Sequence, residues 1–298
     1  MKKLIMVAAI GALAFAPPSK TELKFNLKPG KVYHQSVTIF NNTKQTAMGQ
    51  EMEFSSTTSS STYFERKADA DNGAAYDMWY GEMSMEFEGM GQSQKFSSTD
   101  TAEGMGSMLG KLTEQKFVAV ISHTGTIEEV RGLEELIQKA AGEGEGGDQM
   151  SRQISESFGD VGLERNLEFG INIFPEGKVK KGSSWSKSHY SNSGMPVIVE
   201  NTYTLKAVNG KTAEIEVNGT FSVDPENATG DMQGMEATFF FDGTRTGTLT
   251  VEIETGWVIS GTLNDDIGGS VTIAANAQVP DGMTVPMELV NTTKISGN

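Results

Sequence analysis

Strict alternation of apolar and polar side chains is the strongest constraint that this sequence places on its fold. The run 213–223 keeps polar residues on one face, and the other face carries Ala213, Ile215, Val217, Gly219, Phe221 and Val223. Successive side chains of a strand point to opposite faces, so a period of two predicts a strand with one buried face. The alternation resumes over 249–263 and 271–279. The C-terminal half is therefore predicted to be antiparallel sheet.

Short turn motifs separate the alternating segments. Thr255-Gly256 predicts a hairpin, and Pro280-Asp281-Gly282 predicts a turn into a last strand near 284–294. The N-terminal half contains similar turn motifs, Pro29-Gly30 and Asp71-Asn72-Gly73. Both halves are thus predicted to consist of strands joined by tight turns.

The strand that follows Asp71-Asn72-Gly73 carries our candidate ligand-contacting residues. Its apolar side chains change from even to odd positions, and they are Tyr76, Met78, Tyr80, Met83, Met85 and Phe87. A change of phase at Gly81-Glu82 predicts a β-bulge. Methionine and aromatic side chains form an adaptable apolar surface. We predict that this surface lies in the core or lines a cavity between curved sheets, where a small apolar ligand could bind.

The two β halves resemble each other in the order of their features. Gly30 precedes Tyr33 by three residues, as Gly182 precedes Trp185. The later matches are Thr62-Tyr63 with Thr202-Tyr203, Asn72-Gly73 with Asn209-Gly210, and Thr124-Gly125 with Thr255-Gly256. This order indicates an internal duplication. A chance likeness between two all-β halves is the alternative.

The only helical periodicity that we identify lies between these halves. The apolar positions at helical spacing are Leu133, Leu136, Ile137 and Ala140, then Met150, Ile154 and Phe158, then Leu163, Leu167 and Ile171. The insert 142–148 has no apolar side chain and predicts a mobile acidic loop. We therefore predict an N-terminal β half at 17–130, a helical connector at 131–174 that packs on both halves, and a C-terminal β half at 175–298. The predicted fold class is mainly β, with two similar antiparallel curved-sheet halves, from a possible duplication, joined by a short helical segment.

Charge and the N-terminal sequence limit the partners and the compartment. The net charge of −15 argues against nucleic acid and anionic lipid headgroups as partners. Lys2 and Lys3 precede the apolar run 4–13 and small residues, which predicts a signal peptide over 1–16. No later segment has the apolar length to span a bilayer. With no cysteine to lipidate, the expected location is periplasmic or extracellular without a lipid anchor.

Catalytic and metal motifs are absent from the sequence. His34, His123 and His189 lie far apart, and no Gly-x-Ser-x-Gly or His-Glu-x-x-His motif occurs. Asp69 and Asp71 do not continue into a calcium loop, and the methionines lack a histidine or cysteine to complete a copper site. We predict no metal and no cofactor. The favoured hypothesis is a non-enzymatic binding protein.

A hydrolase that uses paired carboxylates is the alternative, because such pairs need no sequence motif. Glu82 and Glu86 are its candidate residues.

Four motifs together resemble a family of bacterial exported proteins that is known only as a domain of unknown function and includes many lipoproteins. They are Gly49-Gln50-Glu51-Met52, Thr124-Gly125 with Val130-x-Gly132, Phe174-Pro175 with Val179-x-x-Gly182-x-x-Trp185, and Gly247-Thr248 with Glu254-Thr255-Gly256. The resemblance implies an extracytoplasmic β protein and supplies no catalytic residues. A looser architectural analogy links the chain to curved-sheet envelope carriers that hold acyl chains.

Overall fold

The computed structural model describes residues 20–47, 49–102, 104–142, 151, 154–155, 158–159, 163, 167, 170–191, 196–232, 235–277 and 279–298. Its named elements in chain order are β1 Val32–Ala47, β2 Gln50–Ala70, β3 Gly73–Gly89, β4 Gln92–Ser97, α1 Met105–Leu112, β5 Phe117–Ser122, β6 Ile127–Arg131, α2 Leu133–Ala141, β7 Ser184–Ser191, β8 Val197–Asn209, β9 Thr212–Val223, β10 Thr229–Met232, β11 Met235–Glu252, β12 Val258–Ile273 and β13 Met283–Gly297. The predicted mainly β class is confirmed. The predicted signal peptide lies outside the described residues.

In the part of the chain that the structure describes, all thirteen strands belong to one antiparallel sheet that is not closed. Its order is β6-β5-β3-β2-β1-β13-β12-β11-β9-β8-β7, with β4 attached to β3 and β10 attached to β11. The N-terminal strands run β1-β2-β3-β5-β6 outward from the centre, and the C-terminal strands run β12-β11-β9-β8-β7. Strands β1, β2, β3, β5 and β6 thus pair in the same sequence as β7, β8, β9, β11 and β12. The last strand, β13, joins the two sets.

The repeated topology agrees with the sequence repeat. The Asn72-Gly73 turn joins β2 to β3, and the Asn209-Gly210 turn joins β8 to β9. Thr124-Gly125 follows β5, and Thr255-Gly256 follows β11, as the alignment of the halves requires. Two similar curved halves are therefore present, as the sequence predicted.

Each half receives a segment from the other half at its Thr-Gly turn. The Asn26 amide, just before β1, donates a hydrogen bond to the Thr255 carbonyl at 2.8 Å. The Phe174 amide, before β7, donates to the Thr124 carbonyl at 3.3 Å. The turn glycines Gly125 and Gly256 both have positive φ, and a Cβ on either would overlap a carbonyl oxygen of the crossing segment. Glycine is therefore required at both turns by conformation and by space.

The main hydrophobic core lies where the helical residues cover one face of the sheet. Helical residues Leu133, Ile137, Ile154 and Phe158 belong to the same buried cluster as side chains from both halves. The Tyr80 hydroxyl donates to the Phe158 carbonyl at 2.9 Å, and the Trp185 indole donates to the Ile173 carbonyl at 2.8 Å. The predicted connector thus contacts both halves. Residues 143–150, which contain most of the predicted acidic loop, lie outside the described residues.

The expectation that helical periodicity occurs only in the connector is wrong. Helix α1 lies between β4 and β5, and Met108, Leu109 and Leu112 are buried in the main core. Its two glycines, Gly106 and Gly110, pass so close to residues 97–100 that a Cβ would collide with that backbone. Close packing therefore favours glycine where helix propensity alone disfavours it.

Strand β12 ends earlier than its alternation predicts. The alternation predicts a strand through Ala275 and Ala277 to Val279, but the strand stops at Ile273. The Val279 amide donates to the Asn276 side chain at 2.9 Å, and the Asn276 amide donates to the Val279 carbonyl at 3.0 Å. This local turn replaces the ladder, since alanine side chains bury too little apolar area to hold the strand in place.

Candidate functional site

The face of the sheet that carries the main core is called the inner face. On β3 the pairing moves from Ser60 opposite Met83 to Thr62 opposite Tyr80, so Ser61 faces both Gly81 and Glu82. The predicted bulge is confirmed. Because of it, the six candidate residues of β3 share the inner face despite their change of phase.

The structure distributes these six residues along a gradient of burial. Tyr76, Met78, Tyr80 and Met83 are at most 3% exposed and pack within the main core. Burial is the principal cause that raises the pKa of Tyr76 to about 12. Met85 is half-buried at the margin of that core, and Phe87 is 41% exposed. Only the Met85 and Phe87 end of the set is open to a ligand in this conformation.

A single row of mostly polar residues crosses the inner face at the level of Phe87. The row has one residue on each of ten neighbouring strands, and we call it the polar row. In spatial order it is Lys187, Asn201, Gly219, Arg245, Asp265, Asn291, Asn41, Ser56, Phe87 and Gln94. Every adjacent pair is in direct register, so their side chains are nearest neighbours.

An ion pair lies near the middle of the polar row. The Arg245 guanidinium donates to both carboxylate oxygens of Asp265, at 2.7 and 3.0 Å, and both side chains are almost fully buried. Arg245 also lies over the Phe221 ring, 5.0 Å from its centroid. Next along the row, Asn41 donates to the Asn291 side chain at 2.6 Å and accepts from Thr43 at 2.9 Å. These bonds fix the centre of the row.

Sequence reasoning missed the ion pair, although a signal for it exists. Arg245 and Asp265 occupy positions of the same parity as the buried residues Leu249 and Leu263 on their strands. A charged residue at an apolar phase predicts burial and therefore requires a partner. Their pairing depends on the register of β11 with β12, and the alternation of side chains alone does not determine that register.

Beyond the polar row, the C-terminal half carries a second apolar cluster. Its buried members are Val197, Val199, Phe221, Ala237, Phe239, Phe241, Ile267, Val271, Ile273 and Leu289. Glycines interrupt the same face, and a Cβ on Gly243 or Gly269 would collide with a neighbouring strand's backbone or side chain. The large side chains therefore cover the glycines and one another. The inner face of this half is largely closed.

The corresponding part of the N-terminal half is open. A groove of about 290 Å³ lies there, and we call it the inner groove; it is lined by Asn41, Phe54, Ser55, Ser56, Phe87, Glu88, Gly89, Gln92 and Gln94. Seven of these nine residues are on the inner face by their register, and four belong to the polar row. The run of hydroxyl residues from Ser55 to Thr62 on β2 supplies two of these lining residues, Ser55 and Ser56. Phe54 and Phe87 provide its apolar surface.

His189 lies beside the polar row at the sheet edge formed by β7. Burial, then the positive charges of Arg245 and Lys187, lower its pKa from 6.5 to about 4. Burial also lowers the pKa of Lys187. The Nδ1 atom is 3.4 Å from the Asn172 amide, which links this edge to the connector. The imidazole is therefore neutral at physiological pH.

We expect stability to fall as the pH decreases from 6.5 to 4 because of His189. The unfolded chain takes up a proton in this window and the folded chain does not, so the free energy of unfolding rises with pH. The expected difference is about 2 kcal/mol, less than the full shift implies because the ring is only partly buried. Urea unfolding at a series of pH values measures it. In His189→Gln this component should disappear, and an unchanged pH profile would contradict the assignment.

The residues proposed for the hydrolase alternative do not meet on β3. Glu86 pairs with Lys95 at 3.5 Å, and Glu82 is exposed beside the bulge. Four residues of extended strand span about 13 Å, which exceeds the roughly 5–10 Å between paired catalytic carboxyl groups. Within the described chain, no group of three or more His, Asp or Glu side chains could hold a metal ion.

Comparison with known proteins identifies a family and a fold. A family model described as "Family of unknown function (DUF6263)" matches residues 71–258, which confirms the resemblance to a family of unknown function. No curated protein matches the sequence. Among solved structures, one described as lipid-protein interactions in lipovitellin aligns with a TM-score of 0.52 and 9% identity. It covers 91% of this chain, which spans only 25% of the lipovitellin chain.

Two bacterial structures align less well. An outer-membrane channel from Pseudomonas putida F1 has a TM-score of 0.24 at 9% identity, covering 95% of this chain and 100% of its own. The low-pH structure of Pseudomonas putida OprB has a TM-score of 0.22 at 9% identity, covering 90% and 92%. These scores are too low to support an argument. No helix in the described ranges has the length and apolar character to cross a bilayer.

Proposed function

The chain belongs to the DUF6263 family, whose function is unknown, and from its own geometry we propose that it is a non-enzymatic protein that binds an apolar, lipid-like ligand on the inner face of its sheet. The ligand would lie in the inner groove. Met85 and Phe87 would contact it, while Tyr76, Met78, Tyr80 and Met83 form the packed support behind them.

The exposure of Phe87 is the observation that carries this proposal. The ring is on the face that is otherwise buried, yet 41% of its surface is open. It stands in a groove with Phe54, whose ring is half-buried. Covering an aromatic ring with an apolar partner gains up to about 2–3 kcal/mol. An acyl chain placed in the groove would supply that cover.

The fold supports the same proposal. Lipovitellin, whose structure is described in terms of lipid-protein interactions, shares the architecture of this chain. Met85, two residues before Phe87 on the inner face of β3, would add an adaptable side chain that can adjust to chains of different shape. Export through a signal peptide over 1–16 would place such a protein outside the cytoplasm, where it could hold ligands of the cell envelope.

Native mass spectrometry of the protein purified from its own host tests the proposal. The expected result is a bound apolar molecule in the wild-type spectrum. In Phe87→Asp the fraction of protein with bound ligand should fall by about tenfold, since a carboxylate against an acyl chain costs at least about 1–3 kcal/mol.

Phe240→Asp is the matched control. Phe240 is 67% exposed and lies on the opposite face of the sheet, at the alternate phase of β11 from Phe239 and Phe241. This variant should retain the ligand. Equal loss in both variants, or a wild-type protein without any bound molecule, would contradict a ligand site in the inner groove.

A further inference from the structure

We propose that the ligand of the inner groove is an uncharged amphiphile whose polar group bears hydroxyl or amide groups, as in a monoacylglycerol. This inference rests on the proposed function and specifies its ligand class. The polar group would contact the N-terminal end of the polar row at Ser56 and Gln94. The acyl chain would lie against Phe54 and Phe87.

The polar lining of the groove offers both donors and acceptors. Gln92 and Gln94 are exposed and each carries an amide, and Ser56 is half-exposed and carries a hydroxyl. Their side chains have no hydrogen-bond partner among the described residues. A hydroxyl group of a ligand both donates and accepts, so it can satisfy amides and hydroxyls of this kind. A carboxylate only accepts, and it would leave the amide oxygens of the glutamines without donors.

The central amides keep this recognition surface in place. Asn41 uses one N–H on Asn291 and its oxygen on Thr43, which fixes the plane of its amide at the floor of the groove. The same two hydrogen bonds also fix the direction of the second N–H of the Asn41 amide. Preorganised polar groups of this kind add specificity because little side-chain freedom is lost on binding.

The charges around the groove disfavour an anionic ligand. No cationic side chain lines the groove, and the only ionisable residue in its lining is Glu88, which accepts a hydrogen bond from Ser55. The nearest lysine on β4, Lys95, points to the opposite face and pairs with Glu86. By its register Glu88 also points to the opposite face, together with Ser55, so an anionic headgroup in the groove would meet no counter-charge.

Monodecanoylglycerol and decanoate form a matched pair of probes. They share one acyl chain and differ in the charge of the polar group. Isothermal titration below the aggregation concentration of each, at a pH where decanoate is fully ionised, measures both affinities on the full chain. We expect monodecanoylglycerol to bind at least about tenfold more tightly. Gln94→Lys should reverse this preference, because it places a cation in the polar row.

Ser93→Lys is the control, since it adds the same charge to the neighbouring residue of β4, on the opposite face. Its preference should equal that of the wild type. Equal binding of the two probes, or tighter binding of decanoate, by the wild type would overturn the inference and leave the proposed function standing. A reversal in Ser93→Lys as large as in Gln94→Lys would also overturn it. Failure of both probes to bind would reject the proposed function itself.

Discussion

Asp265→Asn is expected to lower the free energy of unfolding by about 3–5 kcal/mol. The substitution keeps the shape of the side chain but removes the charge that neutralises Arg245, which is 3% exposed at its side chain. The loss of this carboxylate charge is unfavourable because water cannot reach the buried guanidinium to replace it. Urea unfolding monitored by circular dichroism measures the change.

Two controls separate burial from simple loss of an ion pair. Glu216→Gln breaks the exposed pair with Lys206, whose atoms are 3.2 Å apart, and should cost less than about 1 kcal/mol. The double variant Arg245→Met with Asp265→Leu removes both charges and should be more stable than Asp265→Asn alone. If the single and double variants unfold at the same urea concentration, an unpaired buried charge is not the cause of the loss.

Gly125→Ala is expected to lower the free energy of unfolding by about 3 kcal/mol, from backbone strain and steric overlap together. Residue 125 has a φ of 89°, and its new methyl group would overlap the carbonyl oxygen of Ile171. The crossing segment would have to move, which would disturb the hydrogen bond from Phe174 to Thr124. Chemical denaturation gives the size of the effect.

Gly182→Ala provides the comparison for this turn. Its φ of 85° is nearly the same, but nothing lies within 4 Å of the added methyl group. Gly182→Ala should lower the free energy of unfolding only by the conformational cost of a positive φ, about 1 kcal/mol. Equal destabilisation in the two variants would mean that the positive φ alone causes the loss. The crossing segment would then move away from the added methyl group without a measurable cost in free energy.

Local patterns in the sequence predicted many of the long strands, most turns and the bulge of β3, but not the short strands β4, β6 and β10. The bulge could be predicted because the apolar side chains change from even to odd positions at one point, between Tyr80 and Met83. Helix α2 was readable because Leu133, Ile137 and Ala140 recur at helical spacing. In these cases the residues that determine the structure are neighbours along the chain. Helix α1 was not predicted because glycine disfavours a helix, and only the folded chain shows that Gly106 and Gly110 pack against residues 97–100.

The candidate site was less predictable than the fold. Phe87 was identified from its alternation, but its neighbours Asn41 and Ser56 come from other strands and are aligned only by register. Hydrophobic pattern fixes which face a side chain takes, whereas strand order decides which side chains become neighbours. The inner groove and the polar row depend on strand order and register.

The central place of β13 has a consequence for how the chain acquires its structure during synthesis. Residue 297 pairs with residue 35, so the join between the halves waits until β13 has left the ribosome. Until then β1 and β12 each have an unpaired edge, and open edges of long strands template aggregation. Closing so long a loop is also slow. A chain of this topology gains from being kept unfolded until β13 has been synthesised.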